Sequence, residues 1–107
     1  MTNKASNNPS LQMDIDKLIH EPARLMLLAQ LYVVESTDFI FLMRQTGLTQ
    51  GNLSAHLNKL EAAGHIEIKK EFIGKRPHTL LYLTKSGRAA FRKYVQDMKQ
   101  VFDGLVD

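Results

Sequence analysis

The sequence predicts a mainly α-helical domain with one small β-hairpin, and three observations carry that expectation. Apolar residues recur at three- and four-residue intervals through most of the chain, the spacing of helix faces. After Gly64 the period falls to two, the spacing of strands, on either side of the segment "IGKRPH". A chain of 107 residues, 44% of them apolar, can bury one modest core, so a single domain is expected.

The elements follow in order. Residues 1–10, rich in Asn, Ser and Lys, have nothing to bury and are expected to form a flexible tail to a domain spanning residues 11–107. Leu11, Ile15, Leu18 and Ile19 form one stripe of a short helix. Pro22 suits the first turn of the next helix, where a missing N–H costs little, and Arg24 to Tyr32 is apolar on most sides, as the buried centre of a fold would be. Arg24 is expected to bury its stem and pair its guanidinium with Glu61. Ser36, Thr37 or Asp38 can cap a third helix running through "FIFLMRQT" to Gly47, a residue suited to the left-handed position after a helix.

The stretch "TGLTQGNLSAHLNKLEAAGHI", residues 46–66, predicts a helix over about 49–63, capped by Thr49 and ended by Gly64. Leu53, Leu57 and Leu60 lie in a narrow arc and must face the core. The opposite arc holds Gly51, Asn52, Ser54, Ala55, Asn58, Lys59 and Ala62, where an ordinary solvated face would be filled with Glu and Lys. Gly51 costs roughly 0.5–1 kcal/mol relative to Ala, a loss that makes sense if another backbone comes close. Short amide and hydroxyl groups on a slim helix suit base edges and phosphates in the DNA major groove. His56 sits at the edge of the leucine arc and is either a phosphate contact or a polar shoulder of the core. His20 and His65 read as capping or surface residues.

"HIEIKKEF" and "TLLYLT" are strand candidates, joined by "IGKRPH" with Lys75 and Arg76 at the tip; the hairpin is expected over about 66–83. Lys69 and Lys70 point to opposite strand faces, so at most one of them is expected to meet DNA directly. Charge is divided along the chain: residues 1–40 carry a net −2, whereas residues 69–93 carry +7. That division suggests a polyanion partner for the second half, and double-stranded DNA fits it.

Thr84 can cap a C-terminal helix over about 85–104, in which Phe91, Val95, Met98, Phe102 and Leu105 recur at spacings of four, three, four and three. Such a seam exceeds what one small core needs and suits a partner helix. Together with Leu11, Ile15 and Leu18 it predicts a homodimer interface, the alternative being that both helices fold back onto their own domain.

Other classes find little support. The absence of Cys removes disulfides and thiolate metal sites, no HxxH or HxxxH pair is present, and no metal or cofactor is expected. The longest apolar run, Leu25 to Val34, is interrupted by Gln30 and is far shorter than the ~20 residues a membrane span needs, so a soluble, cytoplasmic protein is expected. No phosphate loop, nucleophile set or paired carboxylates point to catalysis, and an enzyme is not expected.

The run "LTQGNLSAHLNKLEAAGHIEIKKEFIGKRPHTLLYLTKSGRAAF", preceded by "IHEPARLMLLAQL" and "DFIFL", resembles the small winged helix-turn-helix transcriptional regulators related to the MarR and ArsR repressors over about residues 18–95. The resemblance implies that "GNLSAHLNKLE" lies in the recognition helix, that "KKEFIGKRPHTLLYLT" is the wing, and that the flanking helices build a homodimer. It implies that Gln50, Asn52, Ser54, His56 and Asn58 reach bases or phosphates and that Lys75 and Arg76 grip the backbone, with Thr49, Ala55 and Lys59 on the same helix beside them. Metal sensing of the ArsR type is not supported by the residues present. A small-molecule effector is conceivable by analogy, but no residues converge on one ligand class. The alternative reading is a winged-helix module that binds another protein, with DNA incidental.

Overall fold

Helix α1 (Pro22–Val34) begins where Glu21, in extended backbone, accepts the Arg24 N–H at 2.8 Å and Pro22 takes the first helical position. The computed structural model describes residues 14–105, so Leu11 and the expected tail lie outside the described residues. Just before α1, the short helix expected over residues 11–19 is replaced, in its described part, by an irregular stretch and a single turn at residues 17–19. The Asp16 carboxylate accepts the N–H groups of Leu18 and Ile19 at 3.0 and 3.2 Å, a local alternative to helix hydrogen bonding. Ile19 is wholly buried in this chain's own core, whereas Ile15 and Leu18 are half-buried against it.

α1 is central, yet it is not sheathed on all sides as its composition suggests. Leu27, Leu28 and Leu31 are fully buried, while Met26 and Val33 remain exposed. The helix stops at Glu35, which holds a positive φ of 69°. That conformation is costly for a residue with a Cβ, and it is held by two backbone bonds: Glu35 N–H to the Leu31 carbonyl, and Leu83 N–H to the Glu35 carbonyl.

The chain then forms strand β1 (Ser36–Asp38), helix α2 (Phe39–Thr46), helix α3 (Gln50–Ala62), strands β2 (Ile66–Ile73) and β3 (Arg76–Leu83), and helix α4 (Lys85–Asp103). β1 is absent from the sequence expectation, which used Ser36, Thr37 and Asp38 only as cap candidates. Asp38 does cap α2, accepting the Phe41 N–H at 2.8 Å, and the same three residues also pair with β3, Ser36 opposite Tyr82 and Asp38 opposite Leu80. The sheet is antiparallel in the order β1-β3-β2. Gly47 ends α2 in the left-handed conformation at φ 71°.

The hairpin is tighter than expected. Only Gly74 and Lys75 form the turn, and Arg76, Pro77 and His78 belong to β3, paired with Ile73, Phe72 and Glu71. Gly74 has φ 66° and Lys75 does not share a positive φ, the pattern of a two-residue type II′ turn.

One core joins these pieces. Leu27, Leu28 and Leu31 of α1 meet Leu42 of α2, the three leucines of α3, Ile66 and Leu81 of the sheet, and Phe91 and Tyr94 of α4. Burying each large aliphatic side chain stabilises the fold by about 1.5–3 kcal/mol. Phe91 is therefore a correction to the expected interface seam: it is 8% exposed, with Tyr32 and Tyr94 as aromatic neighbours at 5.4 and 6.4 Å between ring centroids.

The start of α4 is tied to the end of α3. Thr84 caps α4 by accepting the Gly87 N–H, and the hydroxyls of Thr84 and Ser86 both donate to the Gly64 carbonyl, at 2.6 and 2.7 Å. Gly87 sits against the His65 backbone so closely that a Cβ would collide with the His65 carbonyl. His65 is thus half-buried at this joint, not a surface residue, and its Nδ1 is enclosed without a hydrogen-bond partner among the described residues.

Candidate nucleic-acid interface

α3 is built from two unlike faces. Leu53, Leu57 and Leu60 are buried to 1% exposure or less, which fixes the helix's rotation about its axis. Thr49 Oγ1 accepts the Asn52 N–H at 3.2 Å, and the remaining amides of the first turn stay at an open helix start. The fixed rotation leaves Gln50, Gly51, Asn52, Ala55, Asn58 and Lys59 exposed on one side, with Ser54 half-buried at its edge. A Cβ added at Gly51 would meet nothing within 4 Å, so the chain itself does not use the glycine's small size.

The hairpin stands beside this face. Gln50, Ser54 and Asn58 of α3 and Lys70 and Thr79 of the strands line a cleft of about 290 Å³ between helix and wing. Cross-strand partners share a face, so the pairing of Lys70 with Thr79 turns Lys70 towards α3. Lys69 goes to the other face, its ammonium 5.2 Å from the centre of the Tyr82 ring. Parity in the sequence separated the two lysines but did not say which of them faced the helix; the register does. Lys75 and Arg76 are exposed at the wing end, Lys75 in the turn and Arg76 at the first position of β3.

His56 is placed differently from its neighbours. It is half-buried, with Nδ1 at 3.0 Å from Arg24 Nη1 and 3.8 Å from the Glu21 carboxylate. Arg24 donates through Nε to the Leu18 carbonyl, so its partners are Leu18 and His56, not Glu61 as expected. Glu61 instead accepts the Ile68 N–H at 3.3 Å, across to β2. The hydrogen bond from the Arg24 N–H, first among several causes, holds the Glu21 carboxyl below the usual glutamate range. The Glu21–Arg24–His56 group braces α3 against the start of α1. It could not be found from the sequence, because its members are separated by as many as 35 residues and carry no spacing signature.

The remaining candidate surface lies on α4 and, at Leu105, just past its end. Val95, Phe102 and Leu105 are exposed, Met98 is half-buried, and with Leu25 and Tyr94 most of these residues line an apolar groove of about 520 Å³. Tyr94 shares a 2.7 Å hydrogen bond with His20 Nδ1, and burial pushes its phenol above the ordinary value. Tyr32 moves the other way: Arg92 donates to its hydroxyl at 3.1 and 3.2 Å, while the Arg88 guanidinium lies 4.5 Å from its ring centre.

A leucine-anchored helix with a short polar face, flanked by a cationic β-hairpin, defines a winged-helix DNA-binding domain of the MarR-like kind. The chain belongs to the winged helix DNA-binding domain family, whose model matches residues 23–102. An uncharacterized protein of Methanocaldococcus jannaschii is 39% identical over 85 residues, covering 79% of this chain and 92% of its own length. A transcriptional regulator homologue from Pyrococcus horikoshii OT3 superposes with a TM-score of 0.81 at 28% identity, over 86% of this chain and 91% of that one. A MarR-family transcriptional regulator from Silicibacter pomeroyi superposes with a TM-score of 0.62 at 26% identity, over 83% of this chain and 59% of that one. Among the described residues no helix is long and apolar enough to cross a membrane.

Proposed function

We propose that this protein is a sequence-specific transcriptional regulator of the cytoplasm, acting by binding and not by catalysis. α3 enters the major groove, where Gln50, Asn52, Ser54 and Asn58 reach base edges, with Ala55 and Lys59 beside them. The helix start at Thr49 meets a phosphate, and Lys75 and Arg76 lie along the backbone. His56 supports α3 through Arg24 and Glu21 in preference to touching DNA. The observation that carries the reading is the common side shared by the small polar face of α3 and the cationic hairpin, with Lys70 turned into the cleft between them.

The protein acts as a homodimer joined through Val95, Met98, Phe102 and Leu105, with Ile15 and Leu18 beside them. A twofold axis there presents two α3 helices to half-sites about 34 Å apart, one turn of the duplex. Selection from a random duplex library with the full-length protein tests both parts. A twofold-related motif is expected; enrichment of no motif, or of a single unrepeated one, rejects sequence reading by a symmetric dimer.

A further inference from the structure

The wing carries an apolar feature that the fold does not use. Along the α3-facing side of the hairpin, Ile68 with Leu81 and then Lys70 with Thr79 turn towards the helix, and two positions further out Phe72 pairs with Pro77 on the same side. Pro77 lines a second cleft together with Gln50 of α3. Phe72 is 76% exposed. A two-residue turn makes Ile73 and Arg76 the hydrogen-bonded closing pair, so Phe72 and Pro77 form a non-hydrogen-bonded pair whose side chains stand close together. The missing N–H of Pro77 then costs no bond to β2, and β1 reaches only Leu80 to Tyr82, leaving the outer edge of β3 unpaired at that level. The outcome is a blunt apolar wedge among Lys70, Lys75 and Arg76, with Glu71 the sole acidic residue between positions 68 and 84.

We propose that Phe72, backed by Pro77, enters the minor groove beside each major-groove site and partly unstacks a base step, so that the protein bends its DNA. The proposal rests on the DNA-binding reading above and adds to it a residue that shapes the duplex. Two observations select DNA as the occupant. The cations around the wedge complement phosphates on either side of a groove, and the wedge lies on the same side of the hairpin as the polar face of α3. Apolar side chains pressed between base pairs kink a duplex at modest cost where the step is flexible, so TA or CA steps are expected at the flanks of the selected motif.

The test uses the full-length protein and a duplex bearing the selected motif, with donor and acceptor dyes at its two ends. Wild type is expected to raise energy transfer on binding. Phe72→Ala, at a site too exposed to affect folding, is expected to bind about 10-fold more weakly, to leave transfer near that of free duplex and to keep the salt dependence unchanged. Lys75→Ala is expected to do the reverse, keeping the bend and flattening the salt slope by about 1. A wild type that binds the motif and leaves the duplex straight overturns the wedge while the DNA reading stands, as does a Phe72→Ala that bends fully. A Phe72→Ala that changes the protein's mass in solution but not the bend assigns the residue to a protein contact and also overturns it. A protein that selects no duplex overturns the DNA reading itself.

Discussion

α3 and α4 are both incompletely covered by the domain, and they are incomplete in opposite ways. α3 buries its leucines fully and exposes residues that are small and hydrogen-bonding. α4 buries Phe91 and Tyr94 up to its midpoint, then exposes Val95 and Phe102, with Leu105 exposed just past its end. A polar face with few charges sacrifices solvation for shape, whereas an exposed apolar face sacrifices hydrophobic burial outright. On the function proposed above, the difference assigns the two helices different partners: edges of bases for α3, another apolar surface for α4.

The largest effect is expected at α4. Phe102 is 57% exposed, so Phe102→Asp should leave the protomer folded by circular dichroism. It should halve the mass measured by light scattering and reduce affinity for a twofold motif by about 100- to 10,000-fold, the loss expected when linked binding becomes single. A monomeric mass for wild type would remove the contrast altogether.

Next come two sets of α3 and wing substitutions that should fail differently. Asn52→Ala should lower discrimination between the selected motif and random duplex by about 1–3 kcal/mol. Lys75→Ala combined with Arg76→Ala should weaken binding to all duplexes alike and flatten the salt slope by about 1 to 2 units. Titrations on motif and random DNA at several salt concentrations separate them; equal losses on both duplexes for Asn52→Ala would show that its amide does not read bases.

The contrast also explains what the sequence could disclose. α3 is announced locally, by Thr49, a leucine stripe and Gly64, and its span follows from those signals. β1 is three residues long and exists through pairing with residues more than forty positions away, so no periodicity marks it. The stripe of α4 misleads at Phe91 because one continuous heptad-like spacing serves two environments, the chain's own core at the start and open surface further on. Polar Arg76 and His78 read as loop, yet a two-residue turn needs only Gly74 and Lys75. Phe72 passes as an ordinary strand residue, since nothing local reveals that it stands largely uncovered by the rest of the described residues.

Gly51 sharpens the contrast within α3 itself. An added Cβ meets nothing in the chain, so Gly51→Ala should raise stability by about 0.5–1 kcal/mol in urea unfolding. The same substitution should weaken binding to the selected motif if a phosphate or sugar approaches the helix start there. Higher stability with unchanged affinity would mean that the glycine face does not meet DNA closely.

The smallest effect distinguishes the caps of α1 and α3. Glu21 caps α1 with a carboxylate lowered below the usual glutamate range, chiefly by the Arg24 N–H, whereas Thr49 caps α3 with a hydroxyl that does not titrate there. A lowered folded value means that the charged cap's contribution is fully present above the ordinary glutamate range and is lost as the pH falls through the folded value. Glu21→Gln removes the charge and keeps an acceptor, so it should cost about 0.3–1 kcal/mol near neutrality. That cost should shrink towards zero at an acid pH below the folded value, where wild-type Glu21 is itself protonated. Thr49→Ala should cost about 1 kcal/mol at both pH values. Because Glu21 also lies 3.8 Å from His56, acid should loosen the brace between α1 and α3 while leaving the cap of α3 intact. Urea midpoints for the three proteins at the two pH values provide the check, and a pH-independent Glu21→Gln deficit would show that the carboxylate acts there as a hydrogen-bond acceptor and not as a charge.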